Sequence, residues 1–273
     1  MAFPSKILWA LSSYQYVKEA LRNVEENLQS QIKALPRVNQ PLPTDYHPEL
    51  DINSPRIGHL EAVYHIFGYL KCHDKSTMVF DGTYLHWKDS DFPSDDWSEF
   101  YHNVEEDLPP NAPPPRGMPV QINIFVDASH SRNKLNRRSH TGVLIYLNQS
   151  PTIWFSKSQK TMETSTFGSE FVALRVATER IKSLRYKLRM MGVLLDGPVN
   201  ILVDNDSVVK NATIPSLMLQ KKHNTICYHF VPENIAANTI RVAYIPSSEN
   251  LVDMFTKLLG ATKLKTLAQR ILY

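Results

Sequence analysis

Gln121-Ile-Asn-Ile-Phe-Val-Asp-Ala-Ser-His130 is the stretch that decides the fold. Ile122, Ile124 and Val126 alternate with Gln121, Asn123 and Phe125, the period of a strand in a sheet. The apolar run closes on Asp127, and small polar residues follow. Aspartate is unfavourable in strands, so an acid at the end of one needs a reason. A turn-starting Asp is the plain one. A chemical site is the other, and three later acids bear on the choice.

Downstream, Thr141–Leu147 and Thr152–Ser156 read as two strands joined as a hairpin through Asn148-Gln-Ser-Pro151. The spacing of Phe171, Leu174, Ile181, Leu184 and Leu188 predicts a long amphipathic helix from about Thr166 to Met191, and Gly192 stands where a C′ glycine stops a helix. Val199–Val203 is a strand ending at Asp204. Helices near Ser207–Asn211 and Asn224–Ala237, a strand Ile240–Ile245, and helices over Leu251–Leu258 and Lys263–Leu272 complete the series. Three strands, a helix, then alternating helices and strands make a mixed sheet flanked by helices, class α/β. Trp154 is expected in the core.

Upstream the signals weaken. Val17, Leu21, Val24 and Leu28 mark one helix, capped by Ser12 or Ser13, and Leu60, Val63, Phe67 and Leu70 mark a second. Between them five prolines from Pro36 to Pro55 break regular structure. Leu108-Pro-Pro-Asn-Ala-Pro-Pro-Pro-Arg-Gly-Met-Pro119 reads as a stiff polyproline-like linker. The expected organisation is a small, mainly helical, partly disordered segment over 1–107, the linker over 108–119, and the α/β domain over 120–273.

Composition is that of a globular chain: 273 residues, 42% hydrophobic, 21% charged, net charge +3. The mild positive balance permits a nucleic-acid partner without demanding one. Cys72 and Cys227 match no zinc or redox spacing, which points to free thiols in a reducing compartment. No run approaches a transmembrane span and no targeting signal is seen, so an intracellular protein, cytoplasmic or nuclear, is expected.

The four acids then make a case together. Asp127 and Asp204 end strands, and acids at the carboxyl ends of neighbouring strands meet at one edge of an α/β sheet. Glu170 shares a helix face with Leu174 and Ala177, so it turns toward the sheet. Asp253 opens the helix after the fifth strand. Carboxylates held close repel one another unless cations neutralise them. All-oxygen ligation suits Mg²⁺ or Mn²⁺, and a pair of such ions supports phosphodiester cleavage.

The residues carry a resemblance. Val126-Asp-Ala-Ser-His130, Arg138-Ser-His-Thr-Gly142, Ile153-Trp-Phe-Ser-Lys157, Ser165-Thr-Phe-Gly-Ser-Glu-Phe-Val-Ala-Leu174, Val203-Asp-Asn205, Lys222-His223 with Tyr228-His229, and Leu251-Val-Asp-Met-Phe-Thr-Lys257 resemble, in order and spacing, the ribonuclease H domain of copia-type retrotransposon polyproteins. The resemblance implies a five-stranded mixed sheet with the long helix packed on it. It also implies two divalent ions, with Asp127 bridging them, Glu170 and Asp204 holding one, and Asp253 helping to hold the other. The implied reaction is hydrolysis of the RNA strand of an RNA–DNA hybrid. The alternative is a catalytically idle remnant that folds and binds nucleic acid. Trp9-Ala-Leu-Ser-Ser-Tyr-Gln-Tyr-Val-Lys18 through Tyr46-His-Pro-Glu-Leu-Asp51 resembles the end of the reverse transcriptase domain in such polyproteins and Ser54–Leu70 its connecting segment, which implies that 1–107 is a remnant of that region; the paired polymerase aspartates are absent, so no polymerase activity is implied.

Arg132, Lys134, Arg137 and Arg138 are placed to touch a nucleic-acid backbone beside the acids. Arg175, Arg180, Lys182, Arg185, Lys187 and Arg189 give the long helix a basic side, as easily a solvated face as a phosphate contact. His223 and His229 lack the spacing of a metal pair.

Overall fold

A computed structural model describes residues 8–12, 18, 21–22, 38, 57–73, 75–93, 95–131, 137–217 and 225–272. Most of the first expected helix, the expected disorder, Arg132, Lys134 and His223 lie outside these residues. The chain divides into two compact units, one built mainly from Met1–Phe80 and Lys257–Tyr273, the other from Asp81–Asn133 and Arg137–Thr256.

In the first unit β1 (Leu8–Ser12) pairs with β2 (Thr77–Asp81), and α1 spans Ile57–Cys72. Residues 8–12 are thus strand, where the sequence had shown little sign of one. On α1 the stripe is uneven: Leu60 and Val63 are exposed, whereas Phe67 and Leu70 are partly buried. A last helix, Ala261–Ala268, belongs to this unit, and Leu272 bridges to Met78.

The second unit carries the main sheet. Its strands are β4 (Ile122–Ser129), β5 (His140–Leu147), β6 (Ser150–Ser158), β8 (Val199–Val203) and β9 (Ile240–Tyr244), in spatial order β6-β5-β4-β8-β9. The first three form an antiparallel meander, and β8 and β9 then add in parallel. Parallel neighbours need crossovers, supplied by α2 (Thr166–Met190) and by α3 (Asp206–Thr213) with α4 (Thr225–Ala236). The result is a mixed five-stranded sheet with flanking helices, the architecture expected from the sequence.

Alternation along β4 splits its side chains between two faces. Ile122, Ile124 and Val126 join Phe171, Leu174, Ala177, Ile181 and Leu188 of α2 in one apolar core. Each large side chain fully buried there contributes roughly 1.5–3 kcal/mol. α2 starts at Ser165, whose hydroxyl accepts from the Gly168 amide, and stops at Gly192 with φ +72°. Few residues without a hydrogen for a side chain adopt that angle cheaply. The β5–β6 hairpin turns on Asn148, also at positive φ. β6 is an edge strand, which is why it tolerates Pro151. Trp154 is 50% exposed, so the expectation of a core tryptophan fails: from Thr152 onward most β6 side chains, on both faces of this edge strand, are exposed.

Two expectations about the region before the sheet also change. Arg116–Val120, at the end of the expected linker, is a strand (β3) pairing in parallel with β7 (Val193–Leu195). Pro119 is compatible with this because the strand has a single partner. More consequentially, residues 81–107 form a belt on the second unit. Tyr84 donates to the Pro119 carbonyl, and Trp87 Nε1 donates to Asn123 Oδ1 at 2.9 Å. Asn123, Asn200 and Arg241 are register partners across β4, β8 and β9, and they form a ladder. Asn200 Nδ2 donates to Asn123 Oδ1 at 2.7 Å, and Arg241 donates to Asn200 Oδ1 and to Asp89 of the belt. The Arg241 guanidinium also lies 4.1 Å from the Phe92 ring centre. Farther along the belt, burial and the nearby Glu233 carboxylate push the Tyr101 hydroxyl up to about 12, so it stays protonated beside His229, at 2.9 Å from Nδ1.

Glu106 closes the belt. It receives two hydrogen bonds from Arg185, which is 3% exposed, and one from Arg189 at 2.7 Å. Asp107 pairs with Lys182, and Arg175 pairs with Glu179. Much of the basic side of α2 is therefore occupied by carboxylates of the protein itself.

Burial works to raise the Glu106 pKa, but the hydrogen bonds and charges of Arg185 and Arg189 outweigh it and hold the carboxyl below its usual range. A depressed carboxylate contributes stability above its unfolded pKa and loses it as pH falls through the folded value. Glu106→Ala should therefore cost about 3 kcal/mol at pH 7, because Arg185 is left buried and unpaired. Urea unfolding at pH 7 and pH 3 checks this; the difference from the parent protein should shrink in acid.

Candidate active site

The parallel pairing of β4 with β8 sets Val126 beside Val203, so the next residues, Asp127 and Asp204, leave neighbouring strands at the same edge. Both belong to the face that carries Asn123 and Asn200, opposite the apolar core. The third acid comes from α5 (Asp253–Thr256), of which Asp253 is the first residue. One carboxylate oxygen from each of Asp127, Asp204 and Asp253 lies within 4.8 Å of the others. Asp127 and Asp253 are each 1% exposed, and Asp204 is partly buried.

Glu170 stands outside this group of three among the described residues. It lies in the first turn of α2, partly buried. That turn is pinned by a polar network: Ser169 Oγ is 2.9 Å from His130 Nδ1 and 2.9 Å from Ser139 Oγ, and Gln159 Nε2 donates to the Ser169 carbonyl at 2.8 Å. Arg137 and Arg138 are exposed just before β5, whose first residue, His140, pairs with Ser129 at the end of β4. They thus lie on the strand edge where Asp127 emerges.

Asp253 is held by residues that sequence reading did not single out. Asn250 is buried; its Nδ2 donates to the Val126 carbonyl at 3.1 Å and its Oδ1 accepts from the Val252 amide. The Asp253 amide bonds the Asn250 carbonyl. Thr256 donates through its hydroxyl to Asp127 Oδ2. Gly142 is the register partner of Asp127 on β5, and α5 comes down on it. A Cβ at Gly142 would sit 2.5 Å from Val252 Cγ1 and 2.6 Å from Thr256 Cγ2. Gly142 takes its meaning from the register that sets it opposite Asp127, and Thr256 gave no signal in the sequence, because a threonine at a helix end is commonplace.

Three hard oxygen donors, two of them buried, fit Mg²⁺ or Mn²⁺ and fit softer ions less well. Two buried carboxylates this close to a third are mutually repulsive, and a cation relieves that repulsion.

No family model matches the chain. Over 156 residues, 57% of its length, it is 26% identical to a retrovirus-related Pol polyprotein from transposon RE1 of Arabidopsis thaliana, and 23% identical to that from transposon RE2 of the same plant. The chain resembles retrotransposon Pol polyproteins. This bears out the copia-type resemblance read from the residues, and the match spans 11% of the length of each relative. Among solved structures, it is similar to LC11-RNase H1 in complex with an RNA/DNA hybrid (TM-score 0.39, 16% identity, 50% of this chain and 94% of that one). It is also similar to the foamy viral protease-reverse transcriptase in complex with an RNA/DNA hybrid (TM-score 0.38, 14% identity, 56% of this chain and 22% of that one). No helix among the described residues is long and apolar enough to cross a membrane.

The glycine gap yields a direct check. Gly142→Ala should push α5 off the sheet and destabilise the protein by about 1–3 kcal/mol, the usual cost of overpacking. Urea denaturation measures it; an unchanged midpoint would mean α5 shifts without resistance.

Proposed function

We propose that this chain hydrolyses the RNA strand of RNA–DNA hybrids at a divalent-metal centre built on Asp127, Asp204 and Asp253, as part of retrotransposon reverse transcription. The observation that carries the reading is the convergence of those three carboxylates within 4.8 Å at one edge of a ribonuclease H-like sheet. The resemblance to Pol polyproteins supports the same assignment. Two Mg²⁺ or Mn²⁺ ions bound there would supply Lewis acidity at the scissile phosphate and a water acidic enough to attack it.

The chain's own residues do the rest. In the roles the resemblance implies, Asp127, Asp204 and Asp253 would hold the ions, and Glu170 would join them by swinging in from the first turn of α2. Arg137 and Arg138, with Arg132 and Lys134, contact the nucleic-acid backbone, so binding weakens with salt. Recognition of the hybrid rests on shape and 2′-hydroxyl contacts rather than base readout. A reverse transcriptase domain of the parent polyprotein is the expected partner. The idle-remnant alternative keeps one observation on its side: Glu170 stands outside the carboxylate group.

Asp127→Asn and Asp204→Asn should each lower hybrid cleavage at least ~100-fold while leaving the metal-free fold as stable as the parent or slightly more so, because an amide removes both a ligand and a repelling charge. Cleavage of a labelled hybrid in Mg²⁺ or Mn²⁺, run beside thermal melts in EDTA, measures both. An amide variant that melts lower in EDTA yet still cuts would sink the metal centre. A parent protein that binds hybrid and never cuts it would favour the idle remnant.

A further inference from the structure

We propose that Thr256 is a positioning residue for the metal centre, acting through Asp127, with Asn250 as its counterpart on the other side of Asp253. The inference rests on the metal-centre reading proposed above. α5 has four residues, too few to persist as a helix by its own hydrogen bonds. Something else must hold Asp253 against β4, and two side chains reach across. Asn250 ties the turn before Asp253 to the Val126 carbonyl, and Thr256 ties the turn after it to the Asp127 carboxylate.

The Thr256 hydroxyl has one proton, and both Asp127 Oδ2 and the Val252 carbonyl, at 3.4 Å, lie within its reach. The closer, charged acceptor takes it, because a hydrogen bond to a carboxylate is the stronger. That bond fixes the torsion of the Asp127 carboxylate and couples it to the helix that carries Asp253. The methyl group does a separate task. Thr256 Cγ2 occupies the gap that Gly142 leaves, with no room for a Cβ between them. The β-branch, limited to few rotamers, sets both groups at once: methyl to Gly142, hydroxyl to Asp127. The lever is thus orientation of a metal-binding carboxylate by a donor that does not itself touch the metal.

Two substitutions separate the tasks. Thr256→Val keeps the branched shape and removes the hydroxyl; Thr256→Ser keeps the hydroxyl and removes the methyl. The readout is Mn²⁺ binding by the full chain, followed by electron paramagnetic resonance of the free ion, with thermal melts in EDTA to establish folding. Thr256→Val should bind Mn²⁺ about 10–100-fold more weakly than the parent, the range for loss of such an orienting partner. Thr256→Ser should stay within about threefold. Equal binding by Thr256→Val and the parent overturns the proposal, as does a loss in Thr256→Ser as large as in Thr256→Val, which would assign the effect to packing. If Thr256→Val does not melt cooperatively, Thr256→Ala against Thr256→Ser isolates the hydroxyl instead, and equal affinities overturn the proposal. A parent protein that binds no Mn²⁺ overturns the metal-centre reading itself, an outcome distinct from all of these.

Discussion

Like charge held in a small buried space is the constraint on which the rest of this structure depends. Asp127, Asp204 and Asp253 bring carboxylate oxygens within 4.8 Å of one another, and folding alone provides no reason for them to stay there. Their positions have to be imposed by stiffer elements. β4 and β8 impose two of them through parallel register, which is rigid because both strands are buried on both faces. The third is imposed through side chains, since a short turn has no stiffness of its own.

The sheet meets this demand by having two unlike faces. The face toward α2 is apolar throughout and contributes most of the burial energy. The opposite face carries Asn123, Asn200 and Arg241 at one end and the aspartates at the other. Buried amides hold their place only when their hydrogen bonds are met. Trp87 and Asp89 of the belt help to meet them here, and Glu106 performs the corresponding service for Arg185 on α2. The belt is therefore part of the domain's polar balance, and a domain considered to start at residue 120 would lack it.

What could be read in the sequence follows the range of the forces involved. Strands, the long helix and its glycine stop are set by neighbours a few positions apart, and β4, β5, β8, β9 and α2 were legible on that basis. Trp154 was misread because a tryptophan in a strand looks the same at an edge as in the middle; only topology distinguishes them. β3 was hidden by Pro119 and by the run of prolines just before it. The belt was hidden by distance: Glu106 meets Arg185 across 79 positions and Asp89 meets Arg241 across 152, and an acid in a polar stretch announces neither partner. Asp127, Asp204 and Asp253 could be linked because a strand end is a recognisable address. Thr256 and Asn250 have no such address, since their meaning lies wholly in what stands across from them.

Those two residues also tie the centre together across a long stretch of chain. Asn250 and Thr256 reach partners 124 and 129 positions earlier in the chain. Closing loops of that length costs entropy that a four-residue turn cannot offset until β4 and β8 already stand side by side. Any cation that binds the assembled acids therefore stabilises the arrangement in which Asp253 stands at the strand ends. During synthesis the same order keeps the carboxylate centre unassembled until nearly the whole domain has been made.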